Sequence, residues 1–265
     1  MMKKVYALIC TCFIISCFVP SIAHATAQSV TSVKIPAHVL DISKENTYPN
    51  PTQDLPRLQP SKLAQELLQS TNIRMENADL IRLFNESSIS KAPLAIGYKA
   101  TIYLGHWPLN YESTETTVNW EYKKVNVNYA DNTDSSRASK VRYSQQTHAV
   151  IKGGLTAPIK FEEEIRKMML RHAMEKTGLP LSFHTAIGVG TKKEHDYTVP
   201  GGKTGNLHAY APAVNEKGKV TFGEVYLVLK GNKKSLQIRN VTSQGIGAWI
   251  PVQDHISGRF QAVSP

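Results

Sequence analysis

The sequence predicts an α+β domain with a mainly antiparallel sheet of about seven or eight strands, two short N-terminal helices and one long helix after the first three strands. Three observations support this fold class. Several segments alternate apolar and polar residues with a period of two, and one central segment has apolar residues at helical spacing. No internal repeat is present, so the chain is not a solenoid or an array.

The clearest strand pair lies at 220–230 and 235–241, around a polar Gly-Asn-Lys-Lys connection. The alternating apolar residues of the two segments are Val225, Leu227, Leu229, Leu236 and Ile238. A loop of two or four residues places both sets on one face of a β-hairpin, because side chains alternate along a strand. The other face of the first strand is also apolar, at Phe222, Tyr226 and Val228. We therefore expect this strand to be covered on both sides.

Three strands are expected before the long helix, at 94–104, 118–129 and 141–151, with a loop over 105–115. They are expected to form a meander. A one-residue bulge near Lys123 would keep the apolar residues of the second strand on one face.

Ser61 and Asn77 are predicted N-caps of two short helices. The long helix is predicted over 161–177, where apolar residues recur every three or four positions and Gly178 ends the pattern. The remaining strands are expected at 181–189, at 207–214 and around Trp249-Ile250.

Residues 1–25 have the pattern of a secretory signal peptide, with two lysines before an apolar run. Ala23-His24-Ala25 has the small-x-small form of a cleavage site, so we expect cleavage between Ala25 and Thr26. The apolar run is too short for a membrane span. A lipoprotein anchored at Cys17 is the alternative, because the residues before this cysteine loosely resemble a lipobox.

We expect residues 26–60 to form a Pro-rich extended arm and residues 61–265 to form a single domain. All three cysteines fall within residues 1–25. An exported chain without them has no disulfide, no thiolate metal site and no cysteine nucleophile.

The chain is basic, with 31 Lys and Arg against 21 Asp and Glu, a net charge of +10. Without Lys3 and Lys4 the difference is 29 − 21 = +8. An exported basic protein meets anionic cell-wall polymers and membrane surfaces, which are the expected partners; nucleic acid is not. The simpler interpretation is that the lysines are solvated turn and edge-strand residues. Nothing in the sequence predicts an oligomeric state.

Motifs for cofactors are absent from the sequence. Gly202-Lys203-Thr204 matches the end of a phosphate-binding loop, but Tyr197 stands where the first glycine is required. No pair of histidines has the HxH, HxxxH or HExxH spacing of a metal site. We expect no nucleotide, no metal and no other cofactor.

Two residues are weak catalytic candidates. Glu224 lies on the strand at 220–230, where burial would raise the pKa of its carboxyl group, although pairing or a strand exit is simpler. His195 stands beside Asp196, but neighbours on a strand point apart. Trp107 and Trp249 are candidates for a glycan-binding platform.

Five stretches resemble the YfkD-like family, which comprises exported proteins of endospore-forming Gram-positive bacteria. They are NPTQDLP at 50–56, PLAIGYKATIYLG at 93–105, AYAPAVNEKGKVT at 209–221, GEVYLVLKGNKK at 223–234 and VTSQGIGAWIPVQDH at 241–255. The resemblance runs from about Val39 to His255. It implies export and a cell-envelope or sporulation-associated context, and it transfers no activity, ligand or catalytic residue to any position.

Two classes of function follow from these observations. The first is a non-enzymatic binding or structural protein of the cell envelope. The alternative is a hydrolase of wall glycan or peptide that uses dispersed acids or histidines such as Glu224 or His195. A binding protein should present a flat or grooved basic face, whereas a hydrolase should hold perturbed titratable groups in a concave pocket.

Overall fold

Two very long antiparallel strands organise the molecule. The computed structural model describes residues 33–51, 58–89 and 97–264. The predicted cleavage site at Ala25 and Thr26, and the alternative anchor Cys17, lie outside these residues.

The described elements comprise three helices and ten strands rather than seven or eight. In chain order they are β1 (Val39–Asp41), α1 (Lys62–Gln69), α2 (Ala78–Glu86), β2 (Lys99–Asn132), β3 (Ser139–Ser144), β4 (Ala149–Lys152), β5 (Gly154–Leu155), α3 (Glu162–Thr177), β6 (His184–Ile187), β7 (Lys192–Val199), β8 (Lys203–Lys230), β9 (Lys233–Pro251) and β10 (His255–Val263). All strand pairs are antiparallel, so the α+β class with a mainly antiparallel sheet is confirmed.

β8 is the central strand of the main sheet. One edge of β8 pairs with β2 along nearly its whole length. The other edge pairs first with β10 and then with β9, while β1 extends the sheet beyond β10 and β5 extends it beyond β9. Two smaller two-stranded sheets, β3–β7 and β4–β6, complete the fold.

The loop predicted over 105–115 is wrong, because these residues belong to the continuous strand β2. Register shifts next to Gly105, Asn110 and Glu115 absorb the turn-like residues of this segment. Pro108 has no backbone N–H to donate. It is tolerated because β2 is an edge strand, where one side of the backbone has no neighbouring strand to bond. A register shift does lie between Lys124 and Asn126, near the predicted bulge. It does not bring the expected apolar residues to one face, because Asn126 and Asn128 are the buried side chains there and Tyr129 is exposed.

The predicted meander is also wrong. The segment 141–151 is divided into β3 and β4, which pair with β7 and β6 rather than with each other. The chain breaks at Gln145, whose side-chain amide donates to the carbonyl oxygens of Val125 and Thr147. The long helix α3 therefore follows four strands after α2 instead of three.

The hairpin at the end of the sheet has the predicted even loop. Lys230 pairs with Lys233, which leaves a two-residue turn with Gly231 at φ 56°. In this register Leu227 lies opposite Leu236, so both apolar sets share one face.

The helices begin and end where the sequence places their caps. The Ser61 side chain accepts a hydrogen bond from the Ala64 amide at 3.2 Å, and Asn77 accepts from two amides of α2. Gly178 ends α3 with φ 70°. α1 and α2 pack on one face of the hairpin, and α3 packs on β8 and β9 nearer the middle of the sheet.

The described part of the N-terminal arm packs against the domain. β1 pairs with β10, and Ile42 is fully buried. The side-chain amides of Asn46 and Asn50 both donate to Asp254 Oδ1, at 2.7 and 2.9 Å. Both amides also donate to the carbonyl oxygen of Ala186, so two asparagines attach this segment to β6.

Candidate binding face

The hairpin end of the sheet, formed by β2, β8 and β9, has one covered and one open face. Val225, Leu227 and Leu236 point toward α1 and α2 and are buried. We call the opposite side the outer face. Its cross-strand neighbours form four rows from the turn inward: Lys99, Lys230 and Lys233; Thr101, Val228 and Ser235; Tyr103, Tyr226 and Gln237; His106, Glu224 and Arg239.

Two tyrosines lie side by side at the centre of the outer face. The ring centroids of Tyr103 and Tyr226 are 5.1 Å apart, and Tyr103 is 54% exposed. The guanidinium of Arg239 lies over the Tyr226 ring, 4.6 Å from its centroid, and donates to Gln237 Oε1 at 2.8 Å. The expectation that this strand is covered on both sides is therefore wrong at the hairpin end, because Tyr226 and Val228 are only half-buried.

Glu224 belongs to the outer face as an ionised carboxylate. Hydrogen bonds from the side chains of Asn240 and Tyr226 lower the pKa of its carboxyl group, and the nearby charges of His106 and Arg239 act in the same direction. The Tyr226 hydroxyl donates to Glu224 Oε2 at 2.8 Å. A carboxyl group with this pKa shift is poorly suited to act as a general acid at neutral pH. Its polar atoms instead form a rim beside the tyrosine rings.

A row of three lysines crosses the sheet next to the turn. Lys99 lies opposite Lys230, and Lys230 lies opposite Lys233. In the described part of the chain, no carboxylate forms an ion pair with any of the three. Lys234 points to the covered side, where it pairs with Glu66 at 3.5 Å. Like charges directly opposite each other disfavour a sheet, so the cross-strand pairs within this row do not stabilise the fold.

The predicted tryptophan platform is not assembled as one surface. Trp107 is half-buried against the cluster under α1 and α2, and its indole N–H donates to the Leu104 carbonyl at 3.0 Å. Trp249 stacks on Tyr122, with ring centroids 5.0 Å apart. Their pairing partners on β8 are Gly223 and Asn215, eight residues and therefore roughly 26 Å apart.

His195 lies far from Glu224 in the fold, on β7 of a two-stranded sheet. Its exposed ring meets the edge of Tyr197, with centroids 4.8 Å apart. The neighbouring Asp196 bonds Lys140 and Arg142 instead, and these hydrogen bonds lower the pKa of Asp196 to about 2. The two weak catalytic candidates are therefore not brought together.

A concave region does exist elsewhere, between the segment that leads into α2 and helix α3. It is a cleft of about 290 Å³. Its lining residues are Leu58, Arg74, Met75, Glu76, Ala78, Ile81, Arg171, His172 and Glu175. His172 Nε2 lies 3.0 Å from Glu76 Oε1. Burial alone would raise the pKa of the Glu76 carboxyl group. Hydrogen bonds from His172 and the Tyr111 amide, together with the charge of Arg74, outweigh this effect, so the pKa lies below its usual value.

The sequence analysis missed these cleft residues. His172 lies among the apolar positions of α3, so its place in the sequence indicates a core residue rather than a site residue. Glu76 stands one position before the N-cap Asn77, with no acid–histidine spacing to mark it. The outer-face tyrosines were missed because their adjacency depends on the pairing of β2 with β8.

Two other kinds of site are not found in the described residues. Within 33–51, 58–89 and 97–264, no group of three or more histidine, cysteine or acidic side chains is placed to hold a metal ion. Among the helices in these ranges, none combines the length and apolar character that a membrane span requires.

Comparisons with known proteins agree with the resemblance noted in the sequence. The family model described as "YfkD-like protein" matches residues 36–265. The curated protein "Uncharacterized protein YfkD" of Bacillus subtilis (strain 168) is 55% identical over 265 residues, which covers 100% of this chain and 99% of that protein.

Proposed function

The chain belongs to the YfkD-like family, and we propose that it is an exported, non-enzymatic protein of the cell envelope that binds an anionic glycopolymer through its outer face. One observation carries this proposal: an unpaired row of lysines lies on the same face of the sheet as two adjacent tyrosine rings, one exposed and one half-buried. A basic face is what we expect of a binding protein, whereas a hydrolase should hold perturbed titratable groups in a concave pocket.

The tyrosines and the lysines of the outer face would contact different parts of such a polymer, its sugar rings and its anionic groups. Tyrosine rings offer an apolar surface with a polar edge, which fits the C–H face of a sugar ring. Lysine ammonium groups on flexible stems neutralise phosphate or carboxylate groups. Lys230 and Tyr226 are four residues apart on β8, roughly 13 Å, so a single extended chain can contact both rows.

Long-range charge supports the same partner. The net charge of +8 without the signal segment attracts a polyanion from a distance. The Debye length falls from about 10 Å at about 0.1 M salt to about 3 Å at about 1 M, so the electrostatic part of binding should weaken steeply over this range. Stacking on the tyrosines should survive it.

The test is cosedimentation with purified anionic wall polymer across this salt range. We expect Lys99→Gln/Lys230→Gln/Lys233→Gln to lose most of the low-salt binding. A matched triple variant, Lys152→Gln/Lys192→Gln/Lys219→Gln, removes the same charge from exposed lysines elsewhere and should lose much less. Equal losses in the two triples would show that only net charge matters. Absence of binding by the wild type would remove the wall polymer as partner.

The alternative function, hydrolysis of wall glycan or peptide, has one observation in its favour. The Glu76–His172 pair in the cleft has the arrangement of a general base oriented by a carboxylate, unlike Glu224 or His195. The residues described around the cleft include no serine, threonine or cysteine nucleophile. Release of soluble wall fragments by the wild type, and its loss in His172→Asn, would favour this alternative over binding alone.

A further inference from the structure

The cleft between α2 and α3 contains an arginine without a counter-charge. Arg171 Nε is buried and has no hydrogen-bond partner in the described structure, and no described carboxylate forms an ion pair with its guanidinium. The Arg171 side chain is half-buried, and leaving its buried Nε–H without a hydrogen-bond partner costs free energy. The guanidinium can therefore gain a hydrogen bond to an anion that enters the cleft.

A second arginine on the same helix, Arg166, has contacts that engage its guanidinium group. Arg166 Nε is also buried without a partner. Its guanidinium, however, pairs with Glu162 one turn earlier and lies over the Phe183 ring, 5.2 Å from the centroid. Arg171 has neither kind of contact among the described residues, so the two arginines differ in whether their guanidinium groups are already engaged.

The acids of the cleft are already engaged. Glu76 Oε1 accepts from the Tyr111 amide at 2.8 Å and contacts His172, while Glu76 Oε2 lies 3.3 Å from Arg74. Glu175 has an interaction of its own. The charge of Arg74 is therefore balanced within the cleft, whereas no described carboxylate forms an ion pair with Arg171.

We propose that this cleft binds a small organic monocarboxylate, anchored by the guanidinium of Arg171. The planar fork of an arginine matches a carboxylate in two parallel hydrogen bonds. Met75, Ile81 and Leu58 form an apolar wall that would cover a short hydrocarbon chain. A doubly charged phosphate fits less well, because two carboxylates, those of Glu76 and Glu175, line the same space.

The site is independent of the outer face, since it uses none of the same residues. Its ligand is a small molecule rather than a polymer. Loss of carboxylate binding would therefore leave polymer binding unchanged, and the reverse also holds.

The experiment measures the thermal midpoint of the purified protein with sodium butyrate, sodium acetate, sodium phosphate or sodium chloride at matched ionic strength. We expect butyrate to raise the midpoint most, acetate less, and phosphate no more than chloride. Arg171→Gln should abolish the butyrate shift, and Arg166→Gln, the control on the same helix, should retain it. A butyrate shift no larger than the chloride shift would overturn the proposal, and so would an unchanged shift in Arg171→Gln.

A second readout does not depend on the stability of the variants. The ring protons of His172, assigned in NMR spectra with the His172→Asn variant, should move on addition of butyrate and not on addition of chloride. Movement with butyrate supports the cleft as the site. Unmoved His172 signals at a butyrate concentration that shifts the midpoint would place the carboxylate elsewhere and contradict the proposal.

Discussion

The two faces of the same hairpin differ in how strongly folding constrains the residue type at each position. On the covered face, Val225 is fully buried and Leu227 and Leu236 are 8% and 5% exposed against α1 and α2. On the outer face, Tyr103 is 54% exposed beside Tyr226, and the lysine row lies open next to the turn. Folding requires apolar side chains on the first face and leaves the second largely free. Aromatic and basic residues collected on the free face are therefore available for binding.

The largest effect should come from the covered face. Leu227→Ala removes buried methyl groups and leaves a cavity under α1 and α2, so it should cost about 2–5 kcal/mol of unfolding free energy. Urea denaturation monitored by circular dichroism measures this cost. A loss below about 0.5 kcal/mol, as at exposed positions, would contradict the assignment of the covered face.

A half-buried carboxylate in the cleft should give the next largest effect. Glu76→Gln leaves His172 and Arg74 without their carboxylate and should cost about 1–3 kcal/mol at neutral pH. Because the folded pKa of Glu76 is lowered, its contribution is present above the unfolded value near 4.5 and is lost as pH falls through the folded value. Denaturation curves of wild type and Glu76→Gln should therefore converge in acid. Parallel curves at every pH would show that Glu76 has no such linkage.

The outer face provides the matched small effect. Gln237 follows Leu236 in the chain but lies exposed on the outer face. Gln237→Ala should therefore change the free energy of unfolding by no more than about 0.5 kcal/mol. The same urea denaturation measures it. Equal midpoint shifts for Gln237→Ala and Leu227→Ala would break the comparison between the two faces.

Local signals in the sequence predicted the elements that depend on neighbouring residues. The caps Ser61 and Asn77, the end of α3 at Gly178, and the even hairpin loop are all fixed within a few positions of the chain. The continuity of β2 was not predictable in this way. Its turn-like residues stay extended because β8, about a hundred residues later, supplies their pairing partners.

The same distinction between local and long-range contacts decides which residues of the candidate site could be predicted. Glu224 was identified because its apolar neighbours lie on the same strand, and the structure favours the simpler interpretation, a carboxylate engaged in hydrogen bonds, over a buried acid with a raised pKa. Tyr103 and Tyr226 meet only through the register of β2 and β8, as do Lys99 and Lys230. Glu76 and His172 are separated by 96 positions, so no spacing rule connects them.

The most direct test of the outer face separates binding from stability in one variant. Tyr103→Ala/Tyr226→Ala removes both rings, and its affinity for purified anionic wall polymer is measured by cosedimentation at about 1 M salt, where screening leaves the stacking contribution. Tyr129→Ala, an equally exposed tyrosine at the far end of β2, is the control. We expect the double variant to lose at least about tenfold in affinity, the equivalent of about 1.4 kcal/mol, while its urea midpoint stays closer to wild type than that of Leu227→Ala. Wild-type binding in the double variant, or the same loss in Tyr129→Ala, would contradict the assignment of the outer face as the binding site.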